Sequence, residues 1–201
     1  IGVGLVGSEM CIRDREEIIK SASANGKLKF TTKLSEALPQ SEAVFIAVPT
    51  PSAEDGTVNT SFVEGVAREI GELLEPGEEN FKVIVDKSTV PVRTGERVTE
   101  IIHETGKEGI QFSVVSNPEF LREGSAVSDL MNPDRIVVGS NSDRATKLMW
   151  DIYEPFPVED SSRRLTVDLN SAELIKHAAN SVLALKISFI NAVSAICDAS
   201  G

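Results

Sequence analysis

The chain has 201 residues, enough for one domain and the start of a second, and its 41% hydrophobic and 25% charged residues are ordinary for a soluble globular protein. Its net charge of −11 comes from acidic residues spread along the chain. This excludes nucleic acid as a partner, because phosphate contacts need clustered Lys and Arg. No membrane association is expected, since no uninterrupted apolar run approaches the roughly 20 residues of a spanning helix. The two cysteines, Cys11 and Cys197, are too few for a disulfide framework or a metal cluster and indicate a reducing cytoplasm.

The first residues carry a glycine pattern without its required context. Three glycines spell G-x-G-x-x-G, namely Gly2, Gly4 and Gly7. A dinucleotide fingerprint needs a strand before it, a helix after it and an acidic residue about 20 positions on. Only Ile1 precedes the pattern, and Ser8–Arg15 is polar with little apolar stripe. The string VGSEMCIRDR resembles a translated sequencing adapter, so we interpret residues 1–15 as a doubtful segment, joined to native sequence near Glu16.

Beyond Lys27, short β-type runs alternate with stretches of helical period. The predicted strands are Leu28–Thr32, Ala43–Val48, Lys82–Val85, Phe112–Ser116, Arg135–Gly139 and Leu165–Leu169. The predicted helices are Leu34–Leu38, Ser61–Leu74, Thr94–Thr105, a short one within Asn117–Pro133, Asn141–Tyr153 and Asn170–Ala199. This alternation predicts an α/β domain over residues 16–169, with a doubly wound, Rossmann-like parallel sheet that is incomplete at its N-terminus.

Two helix starts carry capping-box patterns, in which a polar side chain is followed three positions later by Glu. These patterns pair Ser61 with Glu64 and Asn170 with Glu173. The second pattern opens a helix of about 30 residues without Gly or Pro, which is long for a globular domain. We therefore expect residues 170–201 to begin a helical region that joins the sheet to sequence beyond this chain.

Polar residues follow two buried strands, where the carboxyl ends of parallel strands would meet at one edge of the sheet. Val44–Pro51 (VFIAVPTP) ends in Pro-Thr-Pro, and Val83–Val92 (VIVDKSTVPV) contains the hydroxyl pair Ser88 and Thr89. Ligands of open α/β sheets bind at this edge. Such residues are also common in turns that have no further role. Each segment alone therefore favours a stiff turn.

A third segment, Ser116–Gly124 (SNPEFLREG), places Glu119 and Glu123 four positions apart in a loop after a strand, and NPDR follows at 132–135. Two acids there could supply a base and an orienting group. The alternative is a solvated acidic loop. Without further information the alternative is favoured.

The fourth segment lies in the long helix, where Lys176 and Asn180 are one turn apart and therefore point to one side. Most of their neighbours are apolar. A cation and an amide on such a helix suit the stabilisation of a developing oxyanion in a cleft. The alternative is that Lys176 extends along the apolar surface to water.

Taken together and in this order, the four segments resemble the UDP-glucose/GDP-mannose dehydrogenase family, over residues 16–201. NPEFLREG followed by PDRIVVG is similar to the branch that acts on UDP-glucose. Two alternatives stay open: a family member that acts on UDP-N-acetyl-hexosamine or GDP-mannose, and a non-catalytic α/β nucleotide-binding module.

The resemblance implies oxidation of a sugar C6 hydroxymethyl to a carboxylate with two NAD⁺ and one water, through a cysteine thioester. It implies that Lys176 stabilises oxyanions, Asn180 helps to hold them, Glu119 handles protons and thioester hydrolysis, and Thr89 positions a water. It further implies an NAD site at Val48, Pro49, Thr50, Ser88, Thr89 and Glu123. UDP-glucose would meet Glu119, Phe120, Leu121, Lys176 and Asn180. No metal is expected.

Departures from the family pattern limit what the chain itself is expected to do. The family's nucleophilic cysteine follows the long helix in a Gly-Gly-Ser-Cys-Phe-Pro-Lys-Asp type motif, which this sequence does not contain. Neither Cys11 nor Cys197 is expected to replace it. The C-terminal UDP-binding domain and the first βαβ unit are also expected to be missing. The resemblance further implies a cytoplasmic homodimer or higher homo-oligomer, assembled through residues 170–201 as the start of a central dimerisation domain.

Overall fold

The computed structural model describes residues 9–122, 124–158 and 161–200, with the side chains of residues 9–15 and 17 excepted. The described strands are β1 (Ala43–Ile46), β2 (Lys82–Asp86), β3 (Phe112–Ser116), β4 (Ile136–Ser140) and β5 (Arg164–Val167). The described α-helices are α1 (Glu9–Ala24), α2 (Leu34–Ala37), α3 (Ser61–Leu73), α4 (Thr94–Thr105), α5 (Ala126–Met131), α6 (Asp143–Tyr153) and α7 (Leu169–Ser200). Short 3₁₀ turns lie at Leu38–Gln40, Glu78–Asn80 and Ser161–Arg163.

The strands form one sheet in the order β1-β2-β3-β4-β5, which confirms the predicted α/β fold. All neighbouring pairs are parallel except β3 and β4, which run antiparallel with Val115 opposite Ser140 and Ser116 opposite Gly139. The strict parallel arrangement that the sequence predicted is therefore broken once. As a result, the start of β4 lies at the same edge of the sheet as the carboxyl ends of β1, β2 and β3.

Apolar residues cover both faces of the sheet, as the continuous apolar strands require. On one face, Ile84 of β2 packs in a cluster with residues of α3, α4 and the start of α7. On the other face, Val83 and Val85 pack with residues of α6. Helix α7 lies close to β4 because Gly139 has no side chain; a Cβ there would clash with Ala172. This close packing brings the first turns of α7 to the polar edge of the sheet.

Most predicted elements appear with small shifts of their ends, and Thr94–Thr105 and Phe112–Ser116 match the sequence prediction. The predicted strand Leu28–Thr32 is wrong, because this segment has no strand conformation and pairs with none of the described strands. Its Phe30 is 74% exposed. An isolated extended run without a ladder partner has nothing to hold it as a strand.

The predicted capping residues differ from those in the structure. Helix α3 starts at Ser61, so Thr60 precedes the first turn, and its hydroxyl donates to Glu64 at 3.0 Å. At α7, Asp168 takes the capping role by accepting hydrogen bonds from the backbone N–H and the hydroxyl of Ser171. Asn170 instead donates to Glu96 on α4, so its predicted cap is wrong. The capping box places the helix starts within two residues but does not choose between adjacent polar side chains.

The distal half of α7 projects without cover from the described part of the chain. Large apolar side chains along it are between 51% and 67% exposed: Val182, Leu183, Leu185, Ile187, Phe189, Ile190 and Ile196. By length and composition alone, α7 could cross a membrane, although Lys186 lies in its middle. A helix that packs against another protein surface has the same composition.

Candidate functional site

The loops that follow β1 and β2 are joined at the carboxyl edge of the sheet. The Ser88 hydroxyl accepts from the Val48 backbone N–H at 3.0 Å and donates to the Val48 carbonyl at 2.8 Å. The Thr50 hydroxyl donates to the Thr89 carbonyl at 2.9 Å. Pro49 is exposed between these contacts. Five of the residues predicted to bind the cofactor therefore lie side by side, while the sixth, Glu123, lies outside the described residues.

The loop after β2 is also held by α7. The Glu173 carboxylate accepts from the backbone N–H of Arg93 at 2.5 Å and of Gly95 at 2.8 Å, where α4 begins. Arg93 adopts a left-handed conformation with φ of 77°, which is uncommon for a residue other than glycine. Burial raises the pKa of Glu173, and the two backbone donors oppose that change. Sequence analysis missed this contact because it assigned Glu173 to a helix cap.

Lys176 and Glu119, predicted as catalytic from separate segments, meet in the structure. The Lys176 Nζ donates to Glu119 Oε1 at 3.0 Å. The Lys176 side chain is only 8% exposed, whereas that of Glu119 is 31% exposed. The ammonium also lies 5.4 Å from the centre of the Phe120 ring, within cation–π range. Asn180 lies one turn further along α7 and is exposed, so it is not part of this contact.

A cavity of about 240 Å³ opens beside this pair, between the turn after β3 and the turn before β4. Phe120 and Leu121, two of the residues predicted to bind substrate, line it together with Glu119. The guanidinium of Arg135, another lining residue, lies 5.0 Å from the centre of the Phe120 ring. The cavity thus presents an aromatic ring, cations and carboxylates close together, a set that can bind a polar and partly apolar ligand.

The outer wall of the cavity is held by Arg122 and Asp129. The guanidinium donates to both carboxylate oxygens, at 2.7 and 3.1 Å, and the Ser125 hydroxyl donates to one of them at 2.9 Å. These hydrogen bonds hold the pKa of Asp129 well below its usual value. The bond from the Arg122 side chain makes the largest contribution. The contacts tie Arg122, three residues after Glu119, to the first turn of α5.

The inner end of the cavity contains a network that sequence analysis did not identify. The Lys87 Nζ donates to Asn117 Oδ1 at 3.1 Å and to the Tyr153 hydroxyl at 3.3 Å. The Tyr153 hydroxyl donates to the same Asn117 oxygen. Burial lowers the pKa of Lys87 to about 8 and raises that of Tyr153. The signal in the sequence was the strand end VDK, whose Lys follows a strand that is buried on both faces.

Asp86, the last residue of β2, lies buried on the α7 face of the sheet and is 1% exposed. Within the described residues, neither carboxylate oxygen has a hydrogen-bond partner. Burial, and then the nearby charge of Glu173, raise the pKa of Asp86 to about 7. The backbone N–H of Ser88 favours the ionised form but does not reach hydrogen-bonding geometry.

No group of three or more potential metal ligands occurs among the residues that the structure describes. Cys197 is free and exposed on α7, and the side chain of Cys11 lies outside the described set. The carboxyl edge of β1 and β2 fits a dinucleotide, because open α/β sheets bind such ligands at the ends of parallel strands. Pro49 is exposed there, while Thr50 and Ser88 are half-buried, which leaves this edge open to a ligand.

Comparison with known proteins places these features in one family. Residues 6–157 match the UDP-glucose/GDP-mannose dehydrogenase family, NAD binding domain, and residues 170–201 match its central domain. The chain is 44% identical over 189 residues to the UDP-glucose 6-dehydrogenase of Rhizobium meliloti (strain 1021), and 42% identical over 187 residues to UDP-glucose 6-dehydrogenase TuaD of Bacillus subtilis (strain 168). Each alignment covers 92% of this chain, but only 42% and 38% of the respective relative.

Solved structures agree with the sequence comparison. A UDP-glucose dehydrogenase from the hyperthermophilic archaeon Pyrobaculum islandicum superposes with a TM-score of 0.81 at 42% identity, covering 89% of this chain and 40% of that chain. A GDP-mannose dehydrogenase from Pseudomonas aeruginosa gives a TM-score of 0.81 at 30% identity, covering 93% of this chain and 41% of that chain. The Rossmann-like fold and NAD as the cofactor of this domain are therefore confirmed. The chain belongs to the UDP-glucose/GDP-mannose dehydrogenase family, an NAD-dependent oxidoreductase family, and spans about two fifths of the length of these relatives.

Proposed function

We propose that the protein to which this chain contributes oxidises UDP-glucose to UDP-glucuronate. The C6 hydroxymethyl becomes a carboxylate, two hydrides pass to two NAD⁺, and a water supplies the second oxygen. The observation that supports this function is the Lys176–Glu119 pair, with its 3.0 Å hydrogen bond, on the same sheet edge as the loops of the cofactor domain. Glu119 lines the cavity, and Lys176 lies on α7 in the segment that matches the central domain.

Lys176 suits a role in stabilising negative charge on the reacting oxygen. Its side chain is 8% exposed, so the ammonium is shielded from water and its attraction to an oxyanion is strong. Glu119 neutralises the ammonium before substrate binds and is exposed enough to exchange protons with water. Asn180 adds an amide one turn beyond Lys176, and we assign it the second hydrogen bond to that oxygen.

The cofactor and substrate would approach this pair from two sides. NAD supplies the hydride acceptor when bound, and Val48, Pro49, Thr50, Ser88 and Thr89 would hold it at the carboxyl ends of β1 and β2. The backbone of Phe120 and Leu121 would meet the nucleotide sugar in the cavity. We assign Glu123 to the nicotinamide side and Thr89 to the water that hydrolyses a cysteine thioester.

This chain alone is proposed to be inactive. The cysteine that would form the thioester follows the long helix in the family, in a motif absent from the 201 residues. Cys197 lies on exposed α7, and no contact brings it to Glu119 or Lys176 in the described structure. We also expect weak NAD binding, because no strand is described before β1 to carry an acidic partner for the ribose.

UDP-glucose is proposed over the other nucleotide sugars because of sequence similarity. Relatives named UDP-glucose 6-dehydrogenase share up to 44% identity with the chain. The structural neighbour named GDP-mannose dehydrogenase shares 30%, and one named for UDP-D-ManNAc shares 25%. These differences favour UDP-glucose.

The uncovered half of α7 supports assembly into a homodimer or higher homo-oligomer. Its apolar side chains, such as Leu185 and Phe189 at 67% exposed, would be buried against a second copy. Because this assembly covers the apolar helix with protein and not with lipid, we also propose that the protein is cytoplasmic.

The test is an NADH absorbance assay on two proteins: the 201-residue chain and the complete product of its gene. Each receives NAD⁺ with UDP-glucose, UDP-N-acetyl-glucosamine or GDP-mannose in separate reactions. We expect NADH only from the complete protein with UDP-glucose, at two NADH per sugar. Activity of the 201-residue chain would overturn its proposed inactivity, and preference for another sugar would overturn the substrate. Nucleotide binding without NADH from any sugar would instead support a non-catalytic module.

A further inference from the structure

Lys87 occupies an unusual position at the end of β2. Its ammonium reaches two neutral acceptors, Asn117 Oδ1 and the Tyr153 hydroxyl. Within the described residues, it forms no ion pair with a carboxylate inside 4.0 Å. A partly buried ammonium without a close carboxylate gains little stability from its charge, because desolvation costs about as much as neutral acceptors return. The main contribution of Lys87 is therefore to hold these two acceptors in a fixed arrangement.

That geometry concerns Asn117, which is 1% exposed and follows β3 directly. Its Nδ2 donates to the Val137 carbonyl at 2.7 Å, and its backbone N–H donates to the Asp86 carbonyl at 2.9 Å. Lys87 and Tyr153 occupy its remaining side-chain oxygen. Every contact of Asn117 thus fixes the point at which the chain leaves the sheet, and Glu119 lies two residues further on.

We propose that Lys87 is a positioning residue of the site, which holds Asn117 and Tyr153 together and thereby fixes the turn that presents Glu119 to Lys176. The network crosses the sheet edge from α6 through β2 and β3 to α7. The relevance of this turn to catalysis rests on the proposed function, whereas the contacts themselves do not.

Charges around Lys87 give the proposal a measurable signature. Besides burial, which lowers its pKa most, Glu119 raises the pKa of Lys87 and Lys176 lowers it. The titratable groups around it are Asp86 before it on β2, Tyr153 on α6, Glu119 after β3 and Lys176 on α7. This response reports that Lys87 lies near the Lys176–Glu119 pair. A lysine that only fills space between α6 and the sheet would leave the turn that carries Glu119 unchanged when it is replaced.

The first test follows lysine side-chain resonances by NMR during a pH titration of the 201-residue chain. The Lys87 signal is assigned by its loss in Lys87→Arg. We expect Lys87 to titrate near 8, at a lower pH in Glu119→Gln and at a higher pH in Lys176→Met. Because Glu119 is partly exposed, Glu119→Gln should fold. A Lys87 titration that is the same in both variants overturns the proposal.

The second test compares Lys87→Met with Lys82→Met. Lys82 is buried at the other end of the same strand, and its Nζ contacts the Pro39 carbonyl at 3.3 Å. We expect Lys87→Met to shift the backbone amide signals of Asn117 and of residues 119–121, and Lys82→Met to leave them in place. Unshifted signals in Lys87→Met overturn the proposal; if that variant fails to fold, the same signals in Lys87→Gln decide. Neither readout requires oxidation of UDP-glucose, so failure of the proposed function and failure of this inference are distinguishable.

Discussion

Glu173 accepts a hydrogen bond from the backbone N–H of Gly95 at 2.8 Å and so joins two residues 78 positions apart. The same carboxylate accepts from the N–H of Arg93. The first N–H groups of a helix have no partner inside the helix, and here a side chain from α7 supplies one to α4. Since Lys176 lies one turn beyond Glu173, this contact holds the start of α4 against the part of α7 that carries Lys176.

We expect Glu173→Ala to lower the free energy of unfolding of the chain by about 1–3 kcal/mol, because it leaves buried backbone donors unsatisfied. Urea denaturation measures the change. The matched control is Glu100→Ala on the exposed side of α4, where the Arg97–Glu100 ion pair is solvated and the loss should stay below about 1 kcal/mol. Equal losses in the two variants would contradict the role of Glu173.

The buried carboxyl of Asp86 predicts a fall in stability as pH rises. Its pKa is raised from 3.8 to about 7 in the folded chain, so between these values the folded state holds a proton that the unfolded state has lost. Stability therefore decreases through this window, by up to about 1.4 kcal/mol per pH unit and about 2–3 kcal/mol between pH 5 and 7.5. Urea denaturation at the two pH values measures the decrease.

Asp86→Asn isolates this contribution, since an amide does not titrate. We expect the variant to lose less stability than the wild type between pH 5 and 7.5, with the exposed Asp151→Asn as the control that keeps the wild-type slope. Asp129 and Asp168 have lowered pKa values, so their contributions are lost only below about pH 4, outside the window. Parallel slopes in Asp86→Asn and wild type would rule out Asp86 as the cause.

For the complete protein, we expect Lys176→Ala to reduce kcat by about 10²–10³-fold with a smaller change in KM. The reason is that, in its proposed role, the Lys176 ammonium stabilises a developing oxyanion and therefore acts mainly in the transition state. The measurement is initial NADH formation with UDP-glucose. Lys147→Ala, which removes an exposed lysine from α6, should retain wild-type rates. A change confined to KM would assign Lys176 to substrate binding.

The sequence predicted the main elements of the sheet because each strand from Ala43 onward is rich in apolar, mostly β-branched residues and most are followed by a segment of helical period. It also predicted Lys176 and Glu119 as separate candidates, and the resemblance to a family placed them in one site. Their contact could not be derived from spacing, because it depends on how α7 packs against β4. That packing is set by Gly139, whose missing side chain has no signature in a strand pattern.

Contacts made by buried polar side chains escaped the sequence analysis for a related reason. Lys87 donates to the side chain of Asn117, and Glu173 accepts from the backbone N–H of Gly95. Neither partner is near in sequence. Local patterns assigned Glu173 to its own helix start, where Asp168 acts instead. The reversed strand β4 also escaped prediction, because a helix of six residues between β3 and β4 is too short to reveal which way the chain returns.

The last prediction concerns the uncovered face of α7. Side chains such as Leu185 and Phe189 are each 67% exposed in the single chain. Apolar area removed from water contributes about 25 cal/mol per Å², and this contribution opposes the loss of translational and rotational freedom on association, so a second copy that covers this helix is favoured. We expect the 201-residue chain to sediment as a dimer or larger species.

Leu185→Glu combined with Phe189→Glu should shift that chain toward the monomer, since two charges buried against an apolar partner would be desolvated without compensation. Sedimentation velocity measures the shift over a range of concentrations. Phe30→Glu is the matched control, because Phe30 is 74% exposed but lies away from α7 in the sequence before β1. An equal shift toward the monomer in Phe30→Glu would mean that association is unspecific. A shift toward the monomer in the α7 variant alone would assign the interface to the long helix. It would also explain why so much apolar surface is exposed on that helix in the single chain.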